Sequence, residues 1–146
     1  MLAIDLRKYF FDTALVMRKV REGTKSPLAK MGAFVRRTAK GLIRKAKKPA
    51  KPGNPPHSHV GTLKELIYFA YDERSESVVI GPQIFRRARR AVGSPAVPHL
   101  LEFGGEATHW QSGKRVRYRQ FPYMKPSLDR NIDKFASQLA GAVRKG

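Results

Sequence analysis

The sequence predicts an α+β fold: a long basic amphipathic helix and a C-terminal helix packed on a small antiparallel sheet of three or four strands. Three observations predict it. Apolar residues recur at steps of three or four from Leu28 to Ala46, and again from Leu128 to Val143. Between them, two stretches rich in β-branched and aromatic residues flank polar turns. Period-3.6 stripes make helices, and short runs bounded by turn residues make hairpins. With 146 residues, 41% of them apolar, the chain is sized for one domain spanning 1–146.

The first expected element is a short helix over about 12–21, with Asp12 as N-cap and Ala14, Leu15, Met17 and Val20 as its apolar positions. "EGTKSP" should interrupt it, after which Ser26 caps a second helix with Pro27 at its first position. That helix, about 27–47, carries Leu28, Met31, Val35, Ala39, Leu42 and Ala46 on one side. Arg36, Arg37, Lys40, Arg44, Lys47 and Lys48 fall on the other. A solvated surface helix normally mixes charge signs to gain i,i+4 pairs. This one has no acid at all, since none occurs between Glu22 and Glu65.

"TLKE" at 62–65 fits a capping box and one helical turn. "LIYFAYD", "ERSES" and "VVIG" then read as strand, turn and strand over 66–81, and a short helix follows from Pro98 to the glycines at 104–105. "HWQSGKRVRYRQF" suggests a second hairpin turning at Ser112-Gly113, with Arg115, Arg117 and Arg119 on one strand face. One last helix should start at Pro126 or Ser127. The expected core is Val35, Leu42, Ile67, Phe69, Val79, Ile132, Phe135 and Leu139.

The net charge of +19 is the strongest compositional signal. Further basic clusters stand at Arg86, Arg87, Arg89 and Arg90, and from Lys114 to Arg119. Such a field attracts polyanions without selecting a sequence, and an acidic protein partner fits it too. The absence of cysteine removes disulfides, thiolate metal sites and a thiol nucleophile. No apolar run is long enough for a bilayer, and charges at Asp5, Arg7 and Lys8 break any signal-peptide core, so a soluble product is expected.

No phosphate-binding glycine loop, zinc-protease or serine-hydrolase motif occurs. The acids nearest to His57 are eight or more residues away, and His57, His59, His99 and His109 read as incidental surface residues, so neither metal nor cofactor is expected. Glu102 reads as a capping or arginine-pairing carboxylate rather than a general acid. No catalytic residue is assigned, and the chain is expected not to be an enzyme. A toxin-type ribonuclease built from Lys, Arg and His is a remote alternative.

The segment 48–61 holds Pro52, Gly53, Asn54, Pro55 and Pro56. Each residue before a proline is pushed towards extended geometry, and Pro55-Pro56 favours polyproline II. A flexible linker would be rich in Gly and Ser instead. The segment therefore reads as a semi-rigid arm within one domain, with an ordinary surface loop as the competing reading.

Taken in order, several motifs resemble the tail-completion or head–tail joining (virion morphogenesis) proteins of long-tailed bacteriophages and prophages. They are "FFD" (10–12), "GAFVRRTAKGLIRKAKK" (32–48), "PGNPPHSHVGTLKELIYFAYD" (52–72), "VVIGP" (78–82), "LLEFGG" (100–105) and "FPYMKPSLDRN" (121–131). The resemblance covers about residues 10–140. Val60 departs from a common threonine, and Gln120 from an arginine that often precedes Phe-Pro. The resemblance implies a non-catalytic structural protein of the neck or top of the tail, found in the virion and in host cytoplasm during assembly. It implies other neck or tail proteins as partners and a homo-oligomeric ring in the virion, compatible with a free monomer. A ring lumen could present basic side chains to DNA as a non-specific contact. The alternative is a small stand-alone nucleic-acid-binding protein.

Overall fold

The structure, a computed structural model, describes residues 13–83, 94–109 and 111–145. The expected Asp12 cap, the 86–90 arginine cluster and the "FFD" motif lie outside them. The fold is α+β as expected, and the element boundaries carry the corrections.

Helix α1 runs unbroken over Thr13–Leu42, 30 residues, where two helices were expected; at 1.5 Å per residue it is about 45 Å long. Pro27 lies inside it. A mid-helix proline loses one backbone bond and crowds the carbonyl four residues back. Here that residue is Gly23, and Pro27 is itself buried. Packing wins over the local rule. Beyond it, Gly32 is buried so close to the first hairpin that an added Cβ would lie 2.6 Å from Phe69 Cδ2 and 2.9 Å from Val78 Cγ2.

The helix stops at Leu42, not 47. Gly41 weakens its end, and Ile43, only 1% exposed, turns into the core. The chain leaves as β1 (Arg44–Lys45), which pairs in parallel with β2 (His57–Ser58) in the register Arg44↔His57. The single turn α2 (Thr62–Glu65) is where it was expected, but the capping box does not form. Its N-cap is Gly61 at φ 92, with no side-chain cap.

The first hairpin is β3 (Ile67–Asp72) and β4 (Ser77–Pro82), antiparallel, with Ile67 opposite Pro82 and Asp72 opposite Ser77. The strand period of two puts Ile67, Phe69, Val78 and Ile80 on the face towards α1. Val79 therefore points outward and is 62% exposed, against the core expectation.

Helix α3 (Val97–Phe103) has Pro98 in its first turn and ends at Gly104, φ 70. The second hairpin starts earlier than expected, as β5 (Gly105–Thr108) and β6 (Arg115–Tyr118), with Glu106 opposite Arg117. Among the described residues, the expected sheet of three or four strands is thus replaced by three separate two-stranded ladders, one of them parallel. Pro82 ends β4 without an N–H, and the β3–β4 hairpin packs its face on α1 instead of extending edgewise.

The expected last helix is two, α4 (Met124–Asp129) and α5 (Ile132–Lys145). Asn131, 3% exposed, causes the break. Its Nδ2 donates to the Ser127 carbonyl at 2.7 Å, the acceptor that its own backbone N–H would use in a continuous helix. That N–H turns to Leu128 O at 2.9 Å. The same Nδ2 reaches Thr38 Oγ1 at 2.9 Å and so ties the break to α1.

The core cluster is Ala39, Ile43, Ile67 and Tyr123, with Leu63, Leu101 and Met124 packed around it. Of the expected core, Val35 and Ile67 are buried, at 1% and 0%, but Ile132 is 53% exposed. Leu42, Phe69, Phe135 and Leu139 are partly buried. The helix break rotates Ile132 to the mouth of an apolar groove shared with Met31, Val35 and Phe135. No helix among the described residues is long and apolar enough to cross a membrane.

Candidate polyanion interface

The C-terminal half of α1 was expected to present one basic face, and the structure divides that set. Arg36 is not free: its Nε donates to the Ile67 carbonyl at 2.7 Å, and its guanidinium lies 5.8 Å from the Tyr68 ring centre. It fastens α1 to the start of β3. Arg37 is exposed and Lys40 half-buried on α1; Arg44 is exposed on β1, and Lys47 and Lys48 are exposed just beyond it.

The arm is folded back and closed. Asn54 N–H donates to the Lys51 carbonyl at 3.1 Å, with Pro52 and then Gly53 (φ 85) as the central residues. Proline followed by a positive-φ glycine is the type II turn pattern. Gly53 N–H donates to the Gln120 carbonyl at 3.0 Å, pinning the tip beside the end of β6. His57 Nδ1–H donates to the Lys48 carbonyl at 2.8 Å and, with the β1–β2 pair, closes the base. Pro56 is buried and Pro55 half-buried. The arm is thus tied at both its tip and its base.

Two clefts meet at the arm. The first, about 630 Å³, is lined by Thr38, Gly41, Leu42, Arg44, Asn54, Pro55, His57 and Arg130. The second, about 620 Å³, is lined by Pro52, Gly53, Phe103, Gly104, Gly105, Arg117, Tyr118, Arg119 and Gln120. Among the described residues, neither lining holds an acid. The fold thus joins Arg44, Arg117, Arg119 and the arm, which are far apart in sequence. Arg37, Lys40, Lys47, Lys48, Arg115 and Pro56 line neither cleft. His57, Arg130 and Thr38 were missed as site residues, because only the arm's closure and the Asn131 break bring them to Arg44.

Acids collect elsewhere. Asp72, Glu73 and Glu76 sit at the β3–β4 turn, the opposite end of the hairpin from Arg36's anchor. Glu73 pairs with Lys25 at 2.8 Å, and Glu76 with Arg21. The Ser75 hydroxyl and Arg74 N–H hold the Asp72 carboxyl below its ordinary range. The Lys25 hydrogen bond and charge do the same for Glu73, and Glu73 in turn raises the Lys25 ammonium.

Glu102, 8% exposed, spends its carboxylate on backbone: Oε2 accepts from Tyr123 and Met124 N–H at 2.9 and 3.0 Å, and Oε1 from Lys125 N–H at 2.7 Å. It caps α4, in line with the capping role expected for it. The phenol of Tyr123 is pushed well above its ordinary range by burial and then by the Glu102 charge. Among the described residues, no group of three or more His, Cys, Asp or Glu is placed to hold a metal ion. What the arrangement can do chemically is receive anions on a preformed basic surface. Comparison of the chain with family models, with curated proteins and with solved structures found no match.

Proposed function

We propose that the chain is a structural assembly protein of a tailed phage or prophage, acting at the neck or top of the tail in tail completion and head–tail joining, without catalysis. It works as a homo-oligomer that also contacts other neck or tail proteins, and its virion copies turn the basic clefts towards DNA. The observation that carries this reading is the closed arm, whose consecutive residues wall two acid-free clefts. A stiff element beside basic grooves suits a protein that docks neighbours and tolerates any nucleic-acid sequence. The motifs behind the family resemblance support it, because Glu102 and Asn131 act there as braces.

Light scattering coupled to size exclusion, with and without duplex DNA, tests the reading together with infection complementation. Concentration- or partner-dependent assembly and restored joining are expected. A monomer that binds DNA tightly, and is dispensable for joining, would replace it with the stand-alone nucleic-acid binder.

A further inference from the structure

We infer that the cleft between the end of α1, the arm and the α4–α5 junction binds one tetrahedral oxyanion, a nucleic-acid backbone phosphate, and that His57 supplies a donor to it when protonated. This deepens the DNA-facing reading and rests on it only for the source of the anion.

Arg44 and Arg130 come from segments far apart in sequence, yet both line this cleft with no acid between them. Like charges gathered around one cavity repel, and an anion with several oxygens relieves that repulsion through forked guanidinium contacts. His57 stands opposite Arg44 in the β1–β2 register. Its Nδ1–H is committed to the Lys48 carbonyl at 2.8 Å. In the neutral ring Nε2 is then a bare acceptor, which an oxyanion avoids. In the cation Nε2 carries a proton and can donate, so anion binding and proton uptake are coupled. The charged groups on the elements around the ring are Arg44 from β1, Arg130 from the α4–α5 junction, and Lys64 and Glu65 of α2, which packs against β2; Lys48 offers its carbonyl, and His59 is exposed in the bend that follows.

Two further features suit a ligand. Thr38 Oγ1 already accepts from Asn131 Nδ2 at 2.9 Å, so its own O–H is left to donate. Gly41 fronts the cleft with no heavy atom within 4 Å of where a Cβ would stand. Gly41 is exposed and lines the cleft, so a longer side chain is accommodated there and brings its end group to the rim of the site.

Sulfate is the first probe, because it remains a dianion throughout the range in which histidine titrates. Binding is followed by the NMR signals of His57 at constant ionic strength. Affinity is expected to be about three- to tenfold tighter near pH 5.5 than near pH 8, reflecting one added charged donor. His57→Gln should bind more weakly at the lower pH and lose the pH dependence. Gly41→Glu puts an acid into the cleft at an exposed helical position and should abolish binding, with circular dichroism confirming the fold. Sulfate affinity unmoved by Gly41→Glu, or pH dependence that survives His57→Gln, overturns the proposal. A second arm uses oligothymidine. Weakening of its binding by Gly41→Glu in step with sulfate supports a backbone phosphate as the ligand. DNA binding that ignores Gly41→Glu refutes this cleft as the phosphate site while leaving the wider DNA-facing reading standing. Sulfate binding without any DNA binding supports an oxyanion site but sinks that wider reading.

Discussion

The carboxylate of Glu102 takes the backbone N–H of Tyr123 at 2.9 Å and so fixes the start of α4 from a helix twenty-one residues upstream. With Met124 and Lys125 it satisfies three donors that the first turn of a helix leaves open. Glu102→Gln keeps the shape but turns an NH₂ group on at least one of those donors. The expected loss is about 1.5–3 kcal/mol in urea unfolding, the range for hydrogen bonds to a charged group. A change below about 0.5 kcal/mol would mean that water replaces the cap, which its burial argues against.

Gly32 gives a steric test of how α1 meets the first hairpin. An alanine Cβ would stand 2.6 Å from Phe69 Cδ2, closer than non-bonded carbons approach. Gly32→Ala should gain helix propensity yet lose about 1–3 kcal/mol through overpacking. Phe69→Leu in the same chain should recover part of that loss, which a double-mutant cycle would read as coupling. Independent effects of the two changes would show that the contact is not made.

These two sites also show what was legible in the sequence. The stripe from Leu28 through Ala39 and the β3–β4 hairpin were readable because their signals are local and periodic. Pro27 was misread because local propensity yields to burial, and nothing in "KSPL" announces that the proline is packed. The α4–α5 break was hidden because Asn131 acts through Thr38, 93 residues away. Arg36 looked free because periodicity gives the side of a helix, not what else packs there; Ile67 and Tyr68 were already waiting for it. The cleft of Arg44, His57 and Arg130 is a tertiary convergence, so His57 looked incidental in the chain. Arg44, Arg117 and Arg119 stood out in the sequence because no acid lies beside them along the chain, although the fold sets Glu106 opposite Arg117.

The β3–β4 turn sets an expected pH response. Asp72 and Glu73 are both held below their ordinary range, so they add stability above that range and lose it as acid protonates them through their lowered values. Lys25, raised by Glu73, adds stability below its ordinary value and loses it only as strong alkali passes the raised one. All three groups are exposed, so salt should weaken the effect. NMR titration should show Asp72 below an ordinary aspartate, and Ser75→Ala should move its midpoint upward. An unmoved midpoint would remove the Ser75 hydroxyl as the main cause.

The arm prolines separate stiffness from stability. Pro52 is exposed and Pro55 half-buried, whereas Pro56 is buried, so the three positions should not behave alike. Pro52→Ser with Pro55→Ser adds freedom to the unfolded chain and should cost no more than about 1 kcal/mol. Pro56→Ser removes buried apolar surface and should cost more. If the arm docks a neighbour, loosening its tip raises the entropy lost on binding without touching the basic residues. The double variant should therefore fold nearly as well as the parent but self-associate more weakly and join heads to tails poorly in complementation. Gly53→Ala provides an independent check, because φ 85 is strained for alanine and the Gln120 anchor shares that residue. It should release the tip and reproduce the assembly defect. Normal assembly by the double variant and by Gly53→Ala would reduce the arm to a wall of the clefts, leaving Arg37, Lys40, Arg44, Arg117 and Arg119 to carry any partner contact.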